Sequence, residues 1–387
     1  MTTPNGVSVT GAIDADGHIL EPPDLWEKYL EPQYRDRAIR IRTGNDGLEY
    51  FEFDGKPSQL GIPGFPGLLG AMGEADLTPS PERTYLRSSP PAAMETKARV
   101  LRLDQEGLSK AILYPSIGLL WEAEVQDAEL SAAYCRAYNR WIVDFCSESG
   151  GRLVPIAHLS LGDPTEAARE LERSVRAGAK GAFIAPFTWT GRAPGHPHHD
   201  PLWAAAQDLD VPVGIHPTAE PIAFSIHHRF GEELQPSGVA LNWYFFVFAA
   251  HAIQHAFGSC FHYGLFERFP QLKLIVLEAQ GGWIGYLLDR MDAVYKGPLG
   301  KTTQLKDLPS NHFRRQCWIS ADPDERALPW IIEHVGTDRF FWASDYPHAD
   351  HTGGYMEDLR GLVAPLAETA QRQILWENVS RVYKLGQ

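Results

Sequence analysis

Asp16 and His18 stand two residues apart in the stretch Ile13-Asp14-Ala15-Asp16-Gly17-His18, which reads as the end of a β-strand. Side chains alternate faces along a strand, so these two point the same way. A carboxylate and an imidazole placed like this can both donate lone pairs to one divalent cation, at ligand distances of roughly 2 Å. Three later positions repeat the theme of a polar group following an apolar run. His216 closes Gly214-Ile215-His216 and is followed by Pro217, which stiffens the exit; it suits a metal ligand or a satisfied core histidine. Asp345 follows Phe341-Trp342-Ala343-Ser344 and precedes Tyr346-Pro347-His348. It could bind a metal, take a proton from a metal-bound water, give one to a substrate, or simply start a turn. Glu278 follows Leu277, where an unpaired buried carboxylate would be costly. It would complete a metal shell, orient a ligand, act as an acid or base, or pair with a cation such as Arg290. His348, three residues after Asp345, is the best further candidate for a catalytic group.

Other familiar chemistries find no support. His251 and His255 are four apart, but no Glu follows His251 as an HExxH metalloprotease requires. Ser344 has no GxSxG context, and there is no Walker loop, GxGxxG turn or nucleophilic cysteine setting. His196, His198 and His199 cluster in a Gly/Pro-rich loop, where histidines are often idle.

Positioning strand tips from distant parts of a chain takes a regular scaffold. From residue 92 onward, apolar runs alternate with helical segments. Strands are expected at Lys110 to Pro115, Leu153 to Leu159, Ala182 to Ala185, Val211 to His216, Leu272 to Glu278, Gln316 to Ser320 and Arg339 to Ser344. A long helical region is expected over 241–269. With the strand at Ile13, that makes eight near-continuous apolar strands, the pattern of parallel strands buried on both faces. The expected fold is an α/β (β/α)8 TIM barrel, whose active site forms where the C-terminal strand ends meet. An open doubly wound sheet would leave the first and eighth strands apart, although both carry candidate residues. Residues 31–91 are rich in Gly and Pro and read as an inserted cap or lid after the first strand, within a single domain of 1–387. Trp26, Trp189, Trp243, Tyr244 and Trp283 could enclose a flat substrate, or most of them could simply fill the core.

The chain has 387 residues and a formal net charge of −14, which argues against nucleic acid as a partner. Its four cysteines form no CxxC pair and suggest reduced, buried thiols. With no signal-like start and no apolar run of about 18 residues, a cytoplasmic protein without membrane association is expected.

Asp16-x-His18, His216-Pro217, Phe266-Glu-Arg-Phe-Pro-Gln-Leu-Lys273 leading to Glu278-x-x-Gly-Gly-Trp283, Ala343-Ser-Asp-Tyr-Pro-His348 and the closing Glu377-Asn-Val-Ser-Arg-Val-Tyr383 together resemble the amidohydrolase superfamily. The nearer resemblance is to its branch of aminocarboxymuconate-semialdehyde and resorcylate-type decarboxylases. That resemblance implies a metal-dependent TIM barrel in which Asp16, His18, His216 and Asp345 bind one divalent ion. It also implies a homo-oligomer, dimer or tetramer. Two positions depart from the commonest pattern: Asp16 stands where many members have His, and Glu278 where several decarboxylases carry a His. The oxygen-rich ligand set brings Mn2+ into consideration beside Zn2+. The expected activity is non-oxidative decarboxylation of a small aromatic or unsaturated carboxylic acid. The alternatives are hydrolysis by a metal-activated water and an inactive binding protein on the same scaffold.

Overall fold

The computed structural model describes residues 7–221, 224 and 243–386. Eight parallel strands form the centre: β1 (Ile13–Ile19), β2 (Lys110–Pro115), β3 (Leu153–Pro155, continued by Ala157–His158), β4 (Ala182–Ile184), β5 (Pro212–Ile215), β6 (Lys273–Val276), β7 (Cys317–Ala321) and β8 (Phe340–Trp342). Each pairs in parallel with the next, β3 using its first half towards β2 and its second towards β4. Pro155 at the break lacks an N–H to donate, which explains why the expected single strand divides. The ring closes beyond β8, where Asp345 N donates to Asp16 O (3.0 Å) and His18 N to Tyr346 O (2.7 Å). The expected barrel is therefore the observed one, and closure brings the first and last strand tips together.

Helices α1 (Thr96–Glu106), α2 (Ala128–Ser147), α3 (Pro164–Ala177), α4 (Asp200–Leu209), α5 (Ala250–His262), α6 (Trp283–Lys296) and α7 (Leu328–Val335) lie between successive strands. Their ends follow local chemistry. Asp163 Oδ1 accepts from Thr165 N (2.9 Å) and Glu166 N (3.1 Å) ahead of Pro164 at the first turn of α3. Gly107, in the left-handed region at φ 75°, ends α1. The helical region expected over 241–269 is three helices, Trp243–Phe248, α5 and Leu265–Arg268; its first two residues lie outside the described residues.

Strand residues alternate between two buried layers. Ala15, Ile112, Tyr114, Ile156, Phe183 and Ile275 fill the barrel interior, which the closing helix α8 (Asn378–Tyr383) plugs with Val379, Val382 and Tyr383. Tyr114 and Tyr383 share a hydrogen bond of 2.8 Å there. The intervening residues, among them Leu113, Val213, Leu274 and Ile319, pack outward in the larger core with the helices. Both faces being dry, the strands must read as apolar runs, and that is why they were visible in the sequence.

The Gly/Pro-rich segment carries a small antiparallel sheet, Arg40–Thr43 with Glu49–Phe53 and Lys56–Pro57, and a turn of 3-10 helix at Phe65–Leu68. Its Phe51, Phe53 and Phe65 join the main core. Among the described residues no helix is long and apolar enough to cross a membrane.

Candidate metal centre

β1 delivers Asp16 and His18 to the top of the barrel, both fully buried. His216 lies one residue beyond β5, Glu278 two beyond β6 and Asp345 three beyond β8. Their functional atoms converge. His18 Nε2 is 3.5 Å from Asp16 Oδ1, 3.1 Å from Asp345 Oδ1 and 3.7 Å from Glu278 Oε2. His216 Nε2 is 3.6 Å from Asp16 Oδ1 and 3.3 Å from Glu278 Oε2. Glu278 thus faces the two imidazoles rather than Arg290.

The backbone fixes which ring nitrogens face inward. His18 Nδ1 donates to Pro115 O and His216 Nδ1 to Pro217 O, each at 2.7 Å. With the proton on Nδ1, each Nε2 presents a bare lone pair to the centre. Burial, then the neighbouring His348, push the His18 ring down to about 4, so it is neutral near pH 7 and cannot offer an Nε2 proton. Lone pairs of two imidazoles therefore oppose carboxylate oxygens with nothing between them. Asp16 Oδ1 and Oδ2, His18 Nε2, His216 Nε2, Glu278 Oε2 and Asp345 Oδ2 are all buried without a hydrogen-bond partner. Unpartnered acceptors buried this close together repel one another unless a cation joins them. The donor set of nitrogen and carboxylate oxygen suits Zn2+ or Mn2+. His18, Glu278, Asp345 and His348 lie close enough together to hold an ion, as do Asp16, His18 and His216.

The charges around this centre are strongly displaced. Burial, followed by the charges of Asp345, Asp350 and Asp16, drives the Glu278 carboxyl well above the usual carboxylate range. Burial also disfavours an ionised Asp345, but the charge of His348 and its hydrogen bond to Asp345 outweigh it and hold that carboxyl well below. Glu278 (φ 38°) and Asp345 (φ 52°) both adopt left-handed backbone, which side chains with a Cβ rarely do. Such conformations cost on the order of 1–3 kcal/mol each and persist where the surroundings impose them.

Groups that the sequence reading passed over support the site. Asp14 Oδ1 and Oδ2 accept from Ser344 N (3.0 Å) and Ser344 Oγ (2.7 Å), tying β1 to the exit of β8. Buried Arg99 lies 4.0 Å from Asp14 Oδ2 and donates to His18 O (2.9 Å). Gly17 leaves room for this pair; a Cβ there would meet Arg99 Nη2 and Asp14 Oδ2 at 2.6 Å. The expected candidate His348 places Nδ1 3.0 Å from Asp345 Oδ1, and His351, which was passed over, places Nε2 3.3 Å from Asp345 Oδ2. Ser116, one residue past β2, followed the same strand-tip rule as the residues that were singled out.

A cavity opens beside the centre. Phe65, Leu68 and Leu69 of the inserted segment form one wall, and Phe246, Phe248 and Ala252 another. Glu278, His348 and Ser116 line its inner end, and Glu220 and Asp350 also reach it. None of Trp26, Trp189, Trp243, Tyr244 or Trp283 lines it. Trp26 instead packs in the core against Tyr134, and Trp283 against Phe257. His196, His198, His199, His251, His255 and His262 also lie off the cavity.

A parallel barrel with clustered imidazoles and carboxylates at its C-terminal mouth defines a metal-centre enzyme scaffold. The amidohydrolase family matches residues 77–385, and the chain belongs to it. Among its relatives, the gamma-resorcylate decarboxylase of Polaromonas sp. strain JS666 is 27% identical over 330 residues, covering 81% of this chain and 94% of that protein. In structure the chain is similar to an amidohydrolase from Mycobacterium avium subsp. paratuberculosis K-10, with a TM-score of 0.82, 21% identity and coverage of 97% and 98%. It is also similar to a dihydroxybenzoic acid decarboxylase from Polaromonas sp. JS666 with bound manganese and 2-nitroresorcinol, with a TM-score of 0.68, 20% identity and coverage of 98% of both chains.

Proposed function

We propose that this protein is a metal-dependent, non-oxidative decarboxylase of a small aromatic or unsaturated carboxylic acid. The observation that carries the reading is the ring of unpartnered buried acceptors at the inner end of an apolar cavity. Decarboxylase relatives in the same family support it. Asp16, His18, His216 and Asp345 would hold one divalent ion, Mn2+ or Zn2+, with Glu278 completing the ring between the two imidazoles. Such an ion supplies Lewis-acid charge that fixes an anionic group and stabilises negative charge developing on it.

The protein's own groups account for the remaining chemistry. Phe65, Leu69 and Phe248 offer flat apolar walls to an aromatic ring and exclude water from it. His348 holds a proton at Nδ1 against Asp345 Oδ1. Burial opposes charge on His348, but the Asp345 carboxylate more than offsets this and raises the ring above the usual imidazole range. Asp345 takes the proton that His348 holds against Oδ1 and passes it to the carbon that bears the carboxylate, leaving His348 one proton poorer. The carbon–carbon bond then breaks, its electron pair returns to the ring, and CO2 leaves. The inserted segment 31–91 serves as a cap, a role supported by its contribution to the cavity wall. A cytoplasmic homo-oligomer is the accompanying proposal, with exposed Tyr286, Leu299 and Trp330 as apolar groups that a second copy could cover.

The test is to incubate Mn2+- or Zn2+-loaded protein with hydroxybenzoates and muconate-type acids and follow CO2. Release from at least one acid is expected. Metal-loaded protein that releases none across a broad panel contradicts the reading, and 18O from water in the product would indicate hydrolysis.

Burial among apolar groups pushes the Glu220 carboxyl on the cavity wall up to about 7. It is neutral below that pH and negative above it, where it repels an anionic ligand. Affinity for a benzoate-type acid should therefore weaken as pH rises from 6 to 8, measured by calorimetry on metal-loaded protein. Glu220→Gln should flatten that dependence; an unchanged slope would assign it to other groups.

A further inference from the structure

We infer that Ser116 is a positioning residue for His348, held in place by the buried carboxylate of Glu21. The inference rests on the decarboxylase reading only for the role of His348 in catalysis; the structural coupling stands apart from it. Ser116 Oγ lies 2.9 Å from His348 Nε2, while His348 Nδ1 lies 3.0 Å from Asp345 Oδ1. Both ring nitrogens are thereby engaged, and the ring also packs on His18 with centroids 4.0 Å apart. A serine hydroxyl can donate or accept. It can give its proton to a neutral His348 Nε2 or receive one from the protonated ring. Either way the hydroxyl keeps Nε2 paired and the ring turned towards Asp345.

The hydroxyl is itself fixed from below. Glu21, fully buried, accepts from the backbone N–H groups of Ser116 (3.1 Å), Ile117 (2.8 Å) and Gly118 (2.8 Å). These three consecutive donors form the turn that leaves β2, so the carboxylate sets the direction in which Ser116 projects. Tyr85 Oη donates to Glu21 O (2.8 Å) and anchors the same segment from the insertion. The line from Glu21 through Ser116 and His348 to Asp345 thus crosses from the exit of β1 to that of β8 beside the cavity.

The experiment compares Ser116→Ala and Ser116→Thr in two readouts. In Zn2+-loaded, diamagnetic protein, the His348 Nδ1 proton should give a downfield NMR signal, assigned by its loss in His348→Gln. That signal should persist in Ser116→Thr and broaden or vanish in Ser116→Ala. In turnover, Ser116→Ala should lower kcat about 10- to 100-fold with KM within about threefold, as for a displaced proton-transfer group, while Ser116→Thr stays within a few-fold of the wild type. An unchanged His348 signal in Ser116→Ala, or a threonine variant as impaired as the alanine one, would overturn the inference. The NMR arm decides the coupling even if no acid is decarboxylated, a result that would count against the decarboxylase reading alone.

Discussion

Replacing His216 with alanine should abolish turnover and weaken Mn2+ or Zn2+ binding by more than about 100-fold. Losing a partner one shell further out already costs roughly 10- to 100-fold in metal affinity or activity, and His216 points its bare Nε2 directly at the centre. Its Nδ1 contact to Pro217 O is local, so the barrel should survive the change. Metal titration by calorimetry checks the first part and far-UV circular dichroism the second. A folded His216→Ala protein that retained wild-type metal affinity would remove this residue from the ligand set.

The second large effect concerns stability. Asp14→Ala removes the carboxylate beside Arg99, whose side chain is almost completely buried. An uncompensated buried charge of this kind costs about 3–5 kcal/mol. Losing the acceptor for Ser344 N and Oγ adds to this on a smaller scale, about 1–3 kcal/mol for each unsatisfied group. Ser344→Ala leaves the Asp14–Arg99 pair in place and should cost only about 1 kcal/mol. Urea denaturation with a shared slope would distinguish the two. If both variants lost the same small amount, the Asp14–Arg99 pair would not carry the larger share of the loss.

The strands were legible because parallel strands inside two dry layers leave little room for polar residues; β2 was expected at its observed limits. Asp16, His18, His216 and Asp345 could be read because each polar group ended such a run. Glu278 was visible for the same reason, but its orientation was not. It lies beyond the end of β6 in left-handed backbone, and no local pattern says that this turns its carboxylate towards His18 and His216. Asp14 looked like an ordinary strand residue because its partners, Arg99 and Ser344, reach it only after the barrel closes. The cavity walls were less legible for a related reason. Tryptophans are conspicuous in a sequence, yet Trp26 and Trp283 fill space between elements, whereas the less conspicuous Phe65 and Phe248 face the opening. The break in β3 follows from the missing N–H of Pro155, which the sequence displays.

Diffraction from crystals soaked in Mn2+, collected to bring out the anomalous signal of manganese, addresses the shared cation most directly. A single strong peak is predicted among Asp16, His18, His216, Glu278 and Asp345, with nitrogen and oxygen ligands at about 2.0–2.3 Å. No peak there at saturating Mn2+, or one held by other residues, would contradict the proposal that these strand ends meet around one ion.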